Sequence, residues 1–116
     1  QVERYCSMAV FHNGGLVAGT LFHSWQPDSG VIELTSASTD RRWLTKTVVK
    51  AMFHMAFAMI GAQLAVLRVS ERNTGMVEIA QRFGFQGTLI PRLRGRDESE
   101  WIFTLSDDDW RASRWS

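Results

Sequence analysis

The sequence predicts an α+β domain on a mixed sheet, with the element order β-β-β-α-β-α-β-β. Three observations predict it. Two turn signals, Asn13-Gly14 and Pro27-Asp28-Ser29-Gly30, divide the N-terminal third into three apolar runs, the pattern of an antiparallel meander. A long apolar helix pattern, Leu44 to Ile60, joins the third of these runs to the strand Leu64–Val69. Strands joined through a helix lie parallel, with a right-handed crossover. A second, shorter helix leads into two more strands around a glycine-containing turn, which adds antiparallel pairs to the far side of the sheet.

Each element has its own signal. Gln1–Ser7 is short, polar and charged, and reads as an incoming connection or a helix remnant; the first residue is not Met, so the N-terminal part of the fold is expected to be missing or reduced. Met8-Ala9-Val10-Phe11 is a short strand, followed by the turn His12-Asn13-Gly14-Gly15 and the strand Leu16–Trp25. Gly19 inside that strand suggests a bulge or a close backbone approach. After the turn at Gln26–Gly30 comes the strand Val31–Ser38, then the polar loop Thr39–Trp43. The helix Leu44–Ile60 is apolar around most of its circumference, with Lys46, Lys50 and His54 as a polar stripe, so it is expected to be largely buried. Gly61 is placed to cap it. A second helix, about Thr74 to Phe83, presents Met76, Ile79, Ala80 and Phe83 and is closed by Gly84; Phe85 can pack back on it. Thr88-Leu89-Ile90 is a strand halted by Pro91, Arg92–Asp97 a basic loop, and Glu100–Leu105 the last strand. Ser106 suits an N-cap before Asp107-Asp108-Asp109, and the tail Trp110–Ser116 reads as a short terminal helix.

Composition narrows the functional classes. The 116 residues suit one domain, 1–116, and a hydrophobic content of 45% allows a real core. A net charge of +1 gives no bulk attraction to nucleic acid or membrane. Cys6 is the only cysteine, which excludes an internal disulfide and a multi-thiolate zinc site and fits a reducing, cytoplasmic setting. His12, His23 and His54 have no metal-ligand spacing, so no metal is expected. No apolar run reaches the roughly 18 residues that span a bilayer. Arg92, Arg94 and Arg96 alternate with acidic residues and read as a salt-bridged surface hairpin in preference to a nucleic-acid contact. Trp110 and Trp115 suit burial against a second subunit, in a homodimer.

Three stretches carry a family resemblance. The meander ending in Val31–Ser38, its loop and the long helix form the first. Leu67-Arg68-Val69-Ser70-Glu71-Arg72-Asn73 forms the second, and Ile79-Ala80-Gln81-Arg82-Phe83-Gly84-Phe85 the third. Together, over roughly residues 8 to 105, they resemble the GNAT superfamily, the acetyl-coenzyme A-dependent N-acetyltransferases, and more loosely the small GNAT-like proteins of phage and prophage genomes. The resemblance implies a GNAT-like acyl-CoA N-acyltransferase fold, acetyl-CoA as co-substrate and a small-molecule or protein amine as acceptor. It also implies that two central parallel strands splay at their C-terminal ends. The strand backbone at Leu34, Thr35, Ser36 and Ala37 would then receive the pantetheine arm and supply the oxyanion donor, while loop N–H groups hold the pyrophosphate.

The residues offer candidates for that chemistry. Glu33, among apolar neighbours on the central strand, is the candidate base for the acceptor ammonium, with Ser36 as a catalytic assistant. Arg41 and Arg42 can fork onto phosphates, and Trp43, Leu44, Thr45 and Lys46 complete the loop and helix start. Three registers of the loop onto the family pattern remain open: Arg42 with Thr45 and Thr47, Arg41 with Leu44 and Lys46, or a frame using Trp43 and Thr45; the first is preferred because threonine is small and hydroxylated. Asn73 can contact coenzyme and can equally cap the following helix. The loop carries no glycine, and Ala80 falls where many members place a general-acid tyrosine. Both support a second reading, a catalytically degenerate GNAT-fold component with a binding or structural role, such as in a phage particle.

Overall fold

The computed structural model describes the backbone of residues 6–12, 15–38 and 45–116, and the side chains of residues 22–35 and 45–116. The order is β1 (Cys6–His12), β2 (Gly15–Gln26), β3 (Val31–Ser38), α1 (Lys46–His54) continued by a π-helical turn (Met55–Met59), β4 (Leu64–Ser70), α2 (Thr74–Arg82), β5 (Gln86–Ile90), β6 (Glu100–Ser106) and α3 (Asp107–Ala112). The six strands form one mixed sheet in the order β1-β2-β3-β4-β6-β5. Every neighbouring pair is antiparallel except β3 and β4, which run parallel.

The second turn falls where the sequence predicts it, and Asn13 and Gly14 of the first lie outside the described residues. At the second turn, the Gly30 N–H closes onto the Gln26 carbonyl at 2.7 Å. Gly30 holds a φ of +73° there, and a Cβ on it would stand 2.9 Å from Gln63 Cγ, so both conformation and space call for glycine. The Gly30 carbonyl in turn accepts from the Gln63 and Leu64 N–H groups, which fixes the start of β4 beside the start of β3. Gly19 does not mark the bulge: it pairs regularly with Ala9 and Ala37. The register of β2 shifts on either side of it, against β1 between Leu16 and Ala18 and against β3 between His23 and Gln26, where Ser24 has a φ of +54°.

Burial assigns the two faces of the sheet. Ile32, Leu34, Ala65, Leu67, Val69, Phe103 and Leu105 point to one side and are buried with Val49, Met52, Phe53, Ala56 and Phe57 of the first helix and Ile79, Ala80 and Phe83 of the second. Phe53 sits centrally, with ring centroids 6.2 Å from Phe83 and 6.0 Å from Phe85. Both helices therefore cover the same face, as two successive right-handed crossovers require. The first helix is buried on one side only: Lys46, Ala51, His54, Ala58 and Met59 are exposed. The apolar circumference overstated its burial because, among the described residues, no second layer packs outside it. His54 belongs to the solvated stripe and not to the core. From Met55 the helix widens, with Ile60 N–H bonded to the Met55 carbonyl and Ala62 N–H to the Ala56 carbonyl; this wide end carries Ala62 into the core.

The C-terminus corrects two further expectations. The terminal helix spans Asp107–Ala112 and begins, as its carboxylates suggest, on Ser106, whose Oγ accepts from the Asp109 N–H at 3.1 Å. Ser113 ends it, so residues 113–116 are not helical. Trp110 stacks on Phe57 at 5.1 Å, and Trp115 meets Phe83 edge-on at 4.9 Å. These rings complete the chain's own core, which removes the reason for assigning them to a subunit interface.

Candidate transfer site

The parallel pair is short. It runs from Val31↔Leu64 to Leu34↔Leu67 and stops. Beyond Leu34, β3 continues with β2 alone, Thr35 against Leu21 through Ser38 against Ala18. Beyond Leu67, β4 continues with β6 alone, Arg68 against Ile102 through Ser70 against Glu100. Among the described residues, the facing edges of Thr35–Ser38 and Arg68–Ser70 thus carry main-chain groups without a ladder partner. Backbone groups of that kind need hydrogen bonds from water or from a ligand. This is the splaying of the two parallel strands that the family resemblance implies, and it begins at Thr35 and Arg68.

Topology brings more to this gap. Each parallel strand feeds a helix, so both helix N-termini lie at the C-terminal end of the pair, where anionic groups are favoured. Thr45 is the N-cap of α1, its Oγ1 accepting from the Val48 N–H at 3.3 Å, and Lys46 opens the helix exposed to solvent. Asn73 is the N-cap of α2: its Oδ1 accepts from the Met76 N–H at 3.2 Å. The capping role thus uses the amide oxygen and leaves the amide N–H₂ pointing outward from that bond. Arg41, Arg42, Trp43 and Leu44 lie outside the described residues. Of Ser36 and Ala37 only the backbone is described: Ser36 pairs with Thr20 and Ala37 with Gly19. Leu34 turns to the helix-covered face and is buried, so it can offer the gap only its main chain.

Glu33 points to the other face of the sheet. It is not surrounded by apolar side chains there, which corrects the sequence-based expectation. Its cross-strand neighbour on β2 is His23, and its Oε1 lies 3.5 Å from Nε of Arg68 on β4. The cause is the period of two: β4 reads as a continuous apolar strand, yet Arg68 falls on the same face as Glu33. Arg68 also meets Glu100 of β6, Nη1 to Oε1 at 3.4 Å, and Glu100 accepts from Arg94 Nε at 2.6 Å. The Glu100 side chain is only 6% exposed, against 56% for Arg68 and 29% for Glu33. Beside this chain, His23 Nε2 pairs with Thr35 Oγ1 at 2.9 Å and its Nδ1 with Ser24 Oγ at 3.1 Å.

The loop between β5 and β6 is fastened to the same end of β4. Ser70 Oγ donates to Glu98, Arg72 Nη1 lies 3.4 Å from Glu98 Oε1, Arg72 Nη2 donates to the Asp97 carbonyl at 3.3 Å, and the Ser99 N–H donates to Glu71. Arg94 is therefore engaged inside the fold. The reading of Arg92–Arg96 as a salt-bridged surface hairpin is met by Arg94 with Glu100; that Glu100 also takes Arg68, and that His23 stands beside Glu33, was not read from the sequence. The one available signal was register: an arginine on the non-core face of a central strand, level with a glutamate. Among the described residues no group of three metal-ligating side chains converges, and no helix is long and apolar enough to cross a membrane.

No family model matches the sequence, and no curated protein matches it significantly in sequence. Solved structures do match in fold. Mutant forms of the spermidine/spermine N-acetyltransferase SpeG from Vibrio cholerae superpose with a TM-score of 0.79 at 11% identity, covering 93% of this chain and 70% of theirs. A GCN5-related N-acetyltransferase from Brucella melitensis gives a TM-score of 0.75 at 21% identity, covering 91% of this chain and 52% of its own. A chimera of the Vibrio cholerae spermidine N-acetyltransferase SpeG gives 0.78 at 11% identity, covering 94% and 72%. The fold is thus that of the GNAT acetyltransferases. The chain spans between about half and three quarters of these neighbours' lengths.

Proposed function

We propose that residues 1–116 act as one GNAT-like domain of a cytoplasmic N-acetyltransferase, which moves an acetyl group from acetyl-CoA to a primary amine. The observation that supports it most is the end of the parallel pairing at Leu34 and Leu67, which leaves extended backbone beside two helix N-termini. A long thin thioester with an anionic far end suits that combination. The main chain of Thr35, Ser36 and Ala37 would hold the pantetheine arm and polarise the carbonyl oxygen. The helix start at Thr45 and Lys46, with Arg41 and Arg42 before it, would hold the phosphates. Asn73 would donate from its free amide N–H₂.

When bound, acetyl-CoA supplies the thioester carbonyl, at which the amine forms a C–N bond as the C–S bond breaks and the coenzyme leaves as a thiolate. Glu33 takes the proton that the acceptor ammonium must lose, and water protonates the thiolate. The spermidine and spermine named for some fold neighbours suggest amines as the acceptor class.

A second reading, a GNAT-fold binding or structural component of the phage type, is favoured by the glycine-free loop and by Ala80, which is buried on α2. One experiment separates the two. Coenzyme at about 100 times its dissociation constant adds about 2.7 kcal/mol of stability, so heating the protein with millimolar acetyl-CoA should raise the melting temperature by several degrees. An unchanged transition removes the transferase reading.

A further inference from the structure

Resting on the transferase reading, we propose that the acceptor is a zwitterionic amine of the free α-amino-acid class, its ammonium on Glu33 and its carboxylate on Arg68. The two side chains stand 3.5 Å apart on the face of the sheet that the helices leave open, and both are partly exposed. Arg68 is the first residue of β4 past the parallel pairing, and Glu33 is one residue inside it. The pair therefore borders the gap where the thioester would lie.

Charge decides between acceptors. A simple amine reaching Glu33 separates the ion pair and leaves the Arg68 guanidinium only Glu100, which it shares with Arg94. A zwitterion replaces each half of the pair with its opposite and keeps the balance. Because the two groups are adjacent, the ammonium and carboxylate of the acceptor must sit on the same or the neighbouring carbon. Arg68 is also held for this task. Glu100, almost fully buried, accepts from its Nη1, and Arg94 secures Glu100 from the other side. A guanidinium fixed in this way loses little freedom on meeting a carboxylate.

The neighbouring carboxylates argue against a polycation. Glu100 serves two arginines, Glu98 is engaged by Ser70 and Arg72, and Glu71 accepts from the Ser99 N–H. From β2, His23 is committed to Thr35 and Ser24. Glu100 and Glu98 are thus already compensated by arginines, whereas a polyamine needs an unpaired carboxylate for its second ammonium.

The test compares alanine with ethylamine, which differ by one carboxylate, and with spermidine, following acetyl-CoA-dependent thiol release by the purified protein. Alanine is expected to exceed ethylamine and spermidine in kcat/KM by tenfold or more. In Arg68→Gln the alanine-to-ethylamine ratio should fall to near one, and in Arg68→Lys to an intermediate value. Each ratio is taken on one variant, so a general loss of folding cancels; if Arg68→Gln does not fold, the wild-type and Arg68→Lys ratios decide. A wild-type preference for ethylamine or spermidine, or a ratio unchanged in these variants, overturns the proposal. A turnover-independent readout is the Arg68 side-chain Nε–Hε resonance. Alanine should move it at concentrations at which ethylamine does not. No movement with alanine overturns the proposal even if acetyl transfer occurs. Movement without thiol release from any amine keeps the zwitterion site and removes the transferase reading.

Discussion

Arg94 donates from Nε to Glu100 Oε2 at 2.6 Å, tying the β5–β6 loop to the one buried charged side chain among the described residues. The two partners are unequal. Arg94 and Arg68 are 44% and 56% exposed and can regain water, whereas Glu100 cannot. Removing Arg94 leaves Glu100 Oε2 without its partner and only Arg68 on Oε1, and an under-satisfied buried carboxylate carries most of the cost of a broken pair. Arg94→Ala should therefore destabilise by about 1–3 kcal/mol, and by more than Glu100→Gln does. Urea unfolding midpoints of the two variants check this; the reverse order would mean that water reaches Glu100 in the folded state.

Packing over the far end of the sheet makes a second prediction. Gly87 of β5 lies against Phe103 of β6: a Cβ there would stand 2.5 Å from Phe103 Cε1 and 3.0 Å from Trp101 Cε3. Phe103 is fully buried and stacked on Trp101, centroids 5.4 Å apart and planes 11° apart, so it cannot swing aside. Gly87→Ala should cost about 1–3 kcal/mol, the usual range for overpacking. A thermal scan showing an unchanged midpoint would mean that the edge strand β5 shifts freely.

Most of the fold was legible because turns and periodicity are local. Gly30, the N-caps Asn73 and Ser106 and the stop at Gly84 all mark boundaries by their own backbone chemistry. The strand gap was legible only through the family resemblance, since no residue between Leu34 and Ser38 announces that pairing stops. Of the polar chain from Arg94 through Glu100 and Arg68 to Glu33, only the arginine–carboxylate pairing of the hairpin was read, because the rest joins three strands whose alignment depends on register. Glu33 looked apolar in its surroundings for the same reason: its sequence neighbours Ile32 and Leu34 face the core, and the groups it meets come from other strands.

Asn73 lets two roles be separated. Its Oδ1 caps α2, a job that aspartate and serine also perform; loss of such a cap costs about 1 kcal/mol. Asn73→Ala should therefore lower stability by about that amount. Asn73→Asp should keep the cap but replace the amide donor with negative charge at the start of α2. The expected outcome is near-native stability with a several-fold higher KM for acetyl-CoA. Equal KM values for Asn73→Asp and the unaltered protein would confine Asn73 to capping.

Glu33 carries the sharpest prediction about catalysis. Its ion pair with Arg68 is partly exposed, and pairs of that kind contribute roughly 0–1 kcal/mol. Glu33→Gln should therefore leave the unfolding midpoint close to that of the unaltered protein. The amide has the shape of the carboxylate and cannot take a proton from an ammonium. Turnover should accordingly fall by about 10²–10⁴-fold, the usual contribution of a positioned general base, while stabilisation by acetyl-CoA persists because the coenzyme is held by main chain, helix ends and basic side chains. Steady-state kinetics and thermal scans on the same sample read both quantities. Full activity in Glu33→Gln would move the base elsewhere, to water or to the acceptor itself. Loss of coenzyme stabilisation together with activity would show that Glu33 shapes the gap and is not the proton acceptor within it.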